Sequence, residues 1–138
     1  MSVRLQRNLL FVLAGSGLYV GLWGLVDPPA FYRSFPGFGR HWVSVDGPYN
    51  EHLVRDVAAF YVALGVLAIV AAVRGERGVM WAAGLSWAVF SLPHLGYHAA
   101  HLDKYGTFDK IANMAALGGT LLLALLVLVP PRDRGSVS

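Results

Sequence analysis

Residues 111–129 read IANMAALGGTLLLALLVLV, an unbroken run without Asp, Glu, Lys or Arg that is closed by Pro130-Pro131. A helix that crosses a bilayer needs about 20 largely apolar residues, within a range of roughly 17 to 25. The run has that length, and its apolar residues do not alternate as barrel strands would. Working outward, three more runs have the same character. Leu9–Val26 lies between Arg7 and Asp27-Pro28-Pro29, and Val57–Val73 between Asp56 and Arg74. Val79–Leu95 carries a polar extension as far as His101. Backbone groups in lipid must satisfy one another, which makes these runs helices. The chain is therefore expected to be all-α: one domain over residues 1–138, an integral membrane four-helix bundle with spans at about 9–26, 57–73, 79–95 and 111–129.

Composition agrees. The chain has 138 residues, 56% hydrophobic and 14% charged. A soluble domain carries about 25% charged residues, so there is too little charge to coat a water-exposed globule. Cysteine is absent, which excludes disulfides, thiolate nucleophiles and cysteine metal sites. The formal charge is +3, with no basic cluster dense enough for nucleic acid. Arg4 and Arg7 ahead of the first run raise the possibility of a signal peptide. The run is long and Asp27-Pro28-Pro29 stands where a cleavage site would be, so it reads as a retained span.

Four spans put both termini on one side. That side holds Arg4, Arg7, Arg74, Arg77, Arg132 and Arg134, with Glu76 and Asp133. The other holds Arg33, Arg40, Arg55, Lys104 and Lys110, with Asp27, Asp46, Glu51, Asp56, Asp103 and Asp109. Cations crowd short segments on the first side, so the termini are expected in the cytoplasm of a cell-membrane protein. All five histidines, His41, His52, His94, His98 and His101, fall at the second face. The first face reads as an anchor and the second as the working face.

The third run ends in Pro93-His94-Leu95-Gly96-Tyr97-His98-Ala99-Ala100-His101. At 100° per residue, His94, His98 and His101 share a sector of about 60°. Pro93 is expected to kink the helix where the histidines begin. Glu51 with Arg55 and His52 with Asp56 are i, i+4 pairs at the start of the second span, and Asn113 sits early in the fourth. Ionisable residues at such depth usually mark function. His94, His98, Glu51 and Asp56 are the candidates for acid–base work on a lipophilic substrate. Tyr97, Arg55 and Asn113 would support a bound ligand. His94, His98, His101 and His52 are the candidate ligands of a divalent metal, with zinc, iron or copper suited to nitrogen and oxygen donors. Plainer accounts exist for each: acids favour a helix N-terminus in any case, and Glu51–Arg55 reads equally as a surface ion pair.

Residues 27–50 combine Pro28, Pro29, Pro36 and Pro48 with Phe31, Tyr32, Phe35, Phe38 and Trp42, the mix of an ordered surface cap. Gly17, Gly21 and Gly24 form a helical stripe suited to close packing within the bundle, or else to a homodimer. Besides the bilayer, the possible partners are a lipophilic small molecule, a second copy, or a larger membrane complex in which this chain is a non-catalytic accessory subunit.

The stretch from Asn50 to Asp56 with its following apolar run, and then Pro93-His94 through His101-Leu102, resembles small membrane proteins of actinobacteria. The layout is also similar to that of DoxX-like membrane proteins. Both resemblances imply a four-span bundle, and neither implies an activity.

Overall fold

The computed structural model describes residues 1–130, and their regular secondary structure is all helical, with no strand among them. The elements are α1 (Val3–Val26), α2 (Pro28–Ser34), α3 (Glu51–Arg74), α4 (Arg77–Ala100), a 3₁₀ turn (Leu102–Lys104) and α5 (Thr107–Leu128). Pro131, Arg132, Asp133 and Arg134 lie outside the described residues.

Three helices, α1, α3 and α5, are long and apolar enough to cross a membrane. The fourth long helix, α4, matches α1 and α3 at 24 residues. Trp81, Ser86, Trp87, Ser91, Pro93, His94 and His98 dilute its apolar character. It also runs as one helix through Pro93 to Ala100.

The helices are longer than the apolar runs because polar residues cap them. The Leu5 N–H donates to Ser2 Oγ at 3.2 Å, and the Leu53 N–H to Asn50 Oδ1 at 3.1 Å. Each cap satisfies an N-terminal amide that has no partner within its helix. Gly75, at φ +67°, turns the chain out of α3 in the left-handed conformation that glycine adopts without penalty.

The four long helices pack side by side, α1 against α3 and α5, and α4 against α3 and α5. The glycine stripe decides the closest contact. Gly17, Gly21 and Gly24 are all buried. A Cβ on Gly21 would stand 2.6 Å from the Ala58 carbonyl oxygen, and one on Gly24 2.7 Å from Ala58 Cβ. From the facing side, Gly65 admits Leu18 and the Ala14 carbonyl. The stripe is thus occupied by α3 within the chain and is not an open face for a second copy. Gly84 does the same between α4 and α5, where a Cβ would lie 2.9 Å from Val127 Cγ1. The core is filled by Leu10, Leu13, Leu64, Met80, Trp87 and Val127, and Trp87 Nε1–H donates to the Leu64 carbonyl at 3.1 Å.

One end is tied by side chains that satisfy helix C-termini. Gln6 Nε2 donates to the Val127 and Val129 carbonyls at 2.8 and 3.0 Å. Arg7 Nε donates to the Ala72 carbonyl at 2.6 Å, placing a cation where the helix dipole is negative. The N-terminal amine reaches the Pro130 carbonyl at 3.3 Å. The chain start, the α3–α4 turn and the end of α5 therefore share one level, as the sequence pattern requires. The outward faces are apolar: Val12, Leu22, Phe60, Val73, Val89, Leu92, Ile111 and Leu122 are each more than half exposed.

Candidate functional site

The opposite end is closed by the cap. Asp27 Oδ1 accepts the Ala30 N–H at 3.0 Å and starts α2. This short helix folds back along α1: Phe31 meets Trp23, and Phe35 meets Trp23 and Tyr19, with ring centroids 6.0, 6.0 and 6.2 Å apart. The chain then crosses to the α4–α5 connection and is fastened there by two carboxylates. Asp109, in the first turn of α5, accepts Trp42 Nε1–H at 2.9 Å and pairs with Arg40 at 3.4 Å. The Arg40 guanidinium also lies 4.4 Å from the centroid of the Phe108 ring.

Asp46 is the second fastening point and the centre of the polar cluster. Its carboxylate lies 3.3 Å from Lys104 Nζ, 3.1 Å from Tyr105 Oη and 3.8 Å from His98 Nδ1. Tyr105 Oη also stands 3.0 Å from the Trp42 carbonyl and 3.4 Å from His98 Nδ1. One hydroxyl has one proton to donate. Tyr105 therefore donates to the Asp46 carboxylate or to the Trp42 carbonyl, and accepts when His98 carries its proton on Nδ1. Burial of the Tyr105 hydroxyl, reinforced by the Asp46 charge, pushes its pKa well above the ordinary 10.0. The hydroxyl is a donor throughout the neutral range.

His98 leads inward to His94, their ring centroids 4.9 Å apart. His94 stacks on Phe90 at 5.4 Å, and its Nε2 is 3.5 Å from Tyr61 Oη. It stands at the head of a groove between α3 and α4. The groove encloses about 740 Å³, and Phe60, Leu64, Leu67 and Val89 supply much of its wall. Its polar members, His94 and Tyr97, are at the capped end, with Ser86 further along α4.

The residues singled out in the sequence divide into two groups. His94, His98 and Tyr97 come together around the groove head. Asn113 is buried, and its Oδ1 has no hydrogen-bond partner among the described residues. Glu51 and Arg55 form the surface pair that their spacing suggests, at 2.9 Å, and Arg55 Nη1 also caps the Leu25 carbonyl of α1 at 2.9 Å. His52 and Asp56 pair at 3.3 Å, with the His52 side chain 87% exposed. None of these four lines the groove.

His101 leaves the shared sector. α4 ends at Ala100, and His101, with φ −121° and ψ 30°, stacks on Tyr97 at 4.2 Å and has Nδ1 2.7 Å from the Tyr97 carbonyl. Among the described residues, no three His, Asp or Glu side chains are grouped so as to hold a metal ion. The expected set of His94, His98, His101 and His52 is not assembled. His52 is turned to its own Asp56, and His101 is held by Tyr97.

Sequence reasoning did not pick out Asp46, Tyr105 and Lys104 as site members. They sit in connections with no periodicity, and the contact between Asp46 and Lys104 joins residues 58 apart. Comparison with protein families, with curated proteins and with solved structures finds no match to this chain.

Proposed function

We propose that this is an integral membrane protein whose four long helices all cross the bilayer, with both termini in the cytoplasm. We propose further that the α3–α4 groove holds a lipophilic small molecule, its polar end hydrogen-bonded at His94 and Tyr97. The apolar outward faces support the first part, since a soluble bundle would carry polar residues there. The proposal includes α4 as a span because it has the length of its neighbours and the side chains that lower its hydropathy include the buried Trp87 and Ser91.

The observation that carries the ligand reading is the groove itself. Ligand sites are concave and mostly apolar, with a few polar groups that fix orientation. Here the apolar length is open along the side of the molecule, and His94 and Tyr97 are gathered at one end. A molecule dissolved in the bilayer would enter sideways and hydrogen-bond at the groove head. His98, Tyr105 and Asp46 continue the polar line from His94 to the aqueous face, so acid–base contact with the bound molecule is the chemistry the site favours.

The test is the composition of purified protein in lipid nanodiscs. Solvent extraction and mass spectrometry should find one lipophilic species enriched over bulk lipid. It should be lost from Ala63→Trp, whose indole would fill the groove from the α3 wall, and kept by Ala115→Trp on the outer face of α5. Equal content in all three proteins, with no enriched species, contradicts the reading.

A further inference from the structure

The cap does not simply lie on top of the bundle. α2 descends along α1, and the chain after it descends further. Phe31 meets Trp23, Phe35 meets both Trp23 and Tyr19, and the Pro36 carbonyl accepts a hydrogen bond from Tyr19 Oη at 3.0 Å. Tyr19 stands seven residues before the end of α1 at Val26, which is about 10 Å along the helix axis at 1.5 Å per residue. The chain then reverses and climbs back to Trp42, which joins Asp109 at the start of α5. The segment is a hairpin mounted on the flank of α1, with Pro36 beside the Tyr19 hydroxyl and Arg40 reaching to Asp109.

Between Pro36 and Arg40, Gly37, Phe38 and Gly39 have φ of +93°, +56° and +72°. A bulky residue in the left-handed region is rare, and such strain persists only where the surroundings impose it. The effect is to hold the Phe38 ring away from the protein, and it is 97% exposed. The hairpin is not loose. The Gly37 N–H donates to the Ser34 carbonyl at 2.6 Å, the Arg40 N–H to the Gly37 carbonyl at 3.0 Å, and the Trp42 N–H to the Phe35 carbonyl at 2.8 Å. These bonds hold the turn in one conformation. Arg33 is exposed in the last turn of α2.

We propose that the Gly37–Phe38–Gly39 turn is a membrane anchor, with the Phe38 ring inserted into the same leaflet that surrounds the capped end. The inference rests on the membrane reading above. Its occupant is lipid because of depth. A helix of 24 residues is about 36 Å long and exceeds the hydrocarbon core of about 30 Å by only a few ångströms at each end. Tyr19, to which Pro36 is hydrogen-bonded, stands about 10 Å below the end of α1 and so beneath the headgroups, and the exposed aromatic ring two residues after Pro36 is surrounded by lipid. By holding this hairpin down, the anchor fixes the position from which the rest of the cap reaches Asp109 and the α4–α5 turn.

The chain has no cysteine, so single labels are unambiguous. An environment-sensitive NBD fluorophore is placed on Phe38→Cys, on Leu122→Cys in the exposed face of α5, and on Gly47→Cys in the upper part of the cap. Each protein is reconstituted in phosphatidylcholine–phosphatidylglycerol vesicles with and without doxyl-labelled lipid. The expected result is blue-shifted emission and loss of signal to doxyl lipid at positions 38 and 122, with neither at 47. A water-like, iodide-quenched label at 38 beside a lipid-quenched label at 122 overturns the anchor and leaves the membrane reading intact. A label at 38 shielded from both iodide and doxyl lipid overturns it in favour of a protein partner. Absence of lipid quenching at 122 removes the membrane reading, and the anchor with it.

Discussion

At the residue scale, Tyr105 links the cap to the helices beneath it. Its hydroxyl stands among the Trp42 carbonyl, Asp46 and His98, and replacing it with Phe leaves at least one of these without a partner. Tyr105→Phe is expected to cost about 1 kcal/mol, the net worth of a typical hydrogen bond, measured by equilibrium unfolding in detergent. The pH dependence follows from the raised pKa. In the unfolded chain the phenol ionises near its ordinary 10.0, whereas in the folded chain burial and Asp46 keep it protonated to higher pH. Its contribution is thus complete below about 10 and is lost as the pH rises further through the folded pKa. The stability gap between wild type and Tyr105→Phe should narrow above that pH, and parallel curves would contradict the assignment. The histidine stripe shows what sequence reveals at this scale. His94 and His98 meet because both lie inside the helix, as the 100° rotation requires. His101 does not join them because α4 ends one residue before it, and periodicity carries no information about such an end. Asp46 was legible only as an acid on the same face as the histidines, since its partners are fixed by a loop path that no local rule specifies.

At the element scale, small residues act according to what faces them. A Cβ at Gly21 meets the backbone oxygen of Ala58, which cannot move aside as a flexible side chain would. Gly21→Ala is expected to destabilise by about 1–3 kcal/mol, the usual cost of overpacking. A Cβ at Gly118 meets nothing within 4 Å, so Gly118→Ala should stabilise by up to about 1 kcal/mol through helix propensity. Thermal unfolding of the two variants side by side checks both signs. The apolar runs marked the long helices, but the ends of α1 and α3 were hidden because Ser2 and Asn50 extend each helix over polar residues. The i, i+4 pairs Glu51–Arg55 and His52–Asp56 form as their spacing suggests, and they form at the surface. Spacing along one helix specifies which neighbours pair and says nothing about which face is turned inward.

At the scale of the whole molecule, the two ends of the bundle are closed in different ways. Gln6 and Arg7 satisfy helix C-termini at one end, and Asp46 and Asp109 fasten a folded cap at the other. The gathering of histidines and most acids at the capped end was readable in the sequence, because alternating helices bring every second connection to the same level. The route of the cap down the flank of α1 was not readable, since it depends on aromatic contacts between α2 and α1. The central claim is that all four long helices cross the bilayer, so that the cap and the α4–α5 turn share one face. Single cysteines at Ser44→Cys, Gly78→Cys and Asp103→Cys, probed with an impermeant maleimide in sealed vesicles, test it directly. The account predicts that positions 44 and 103 react from the same side and position 78 only from the other. Reaction of 78 and 103 from one side would mean that α4 does not cross, and would contradict it.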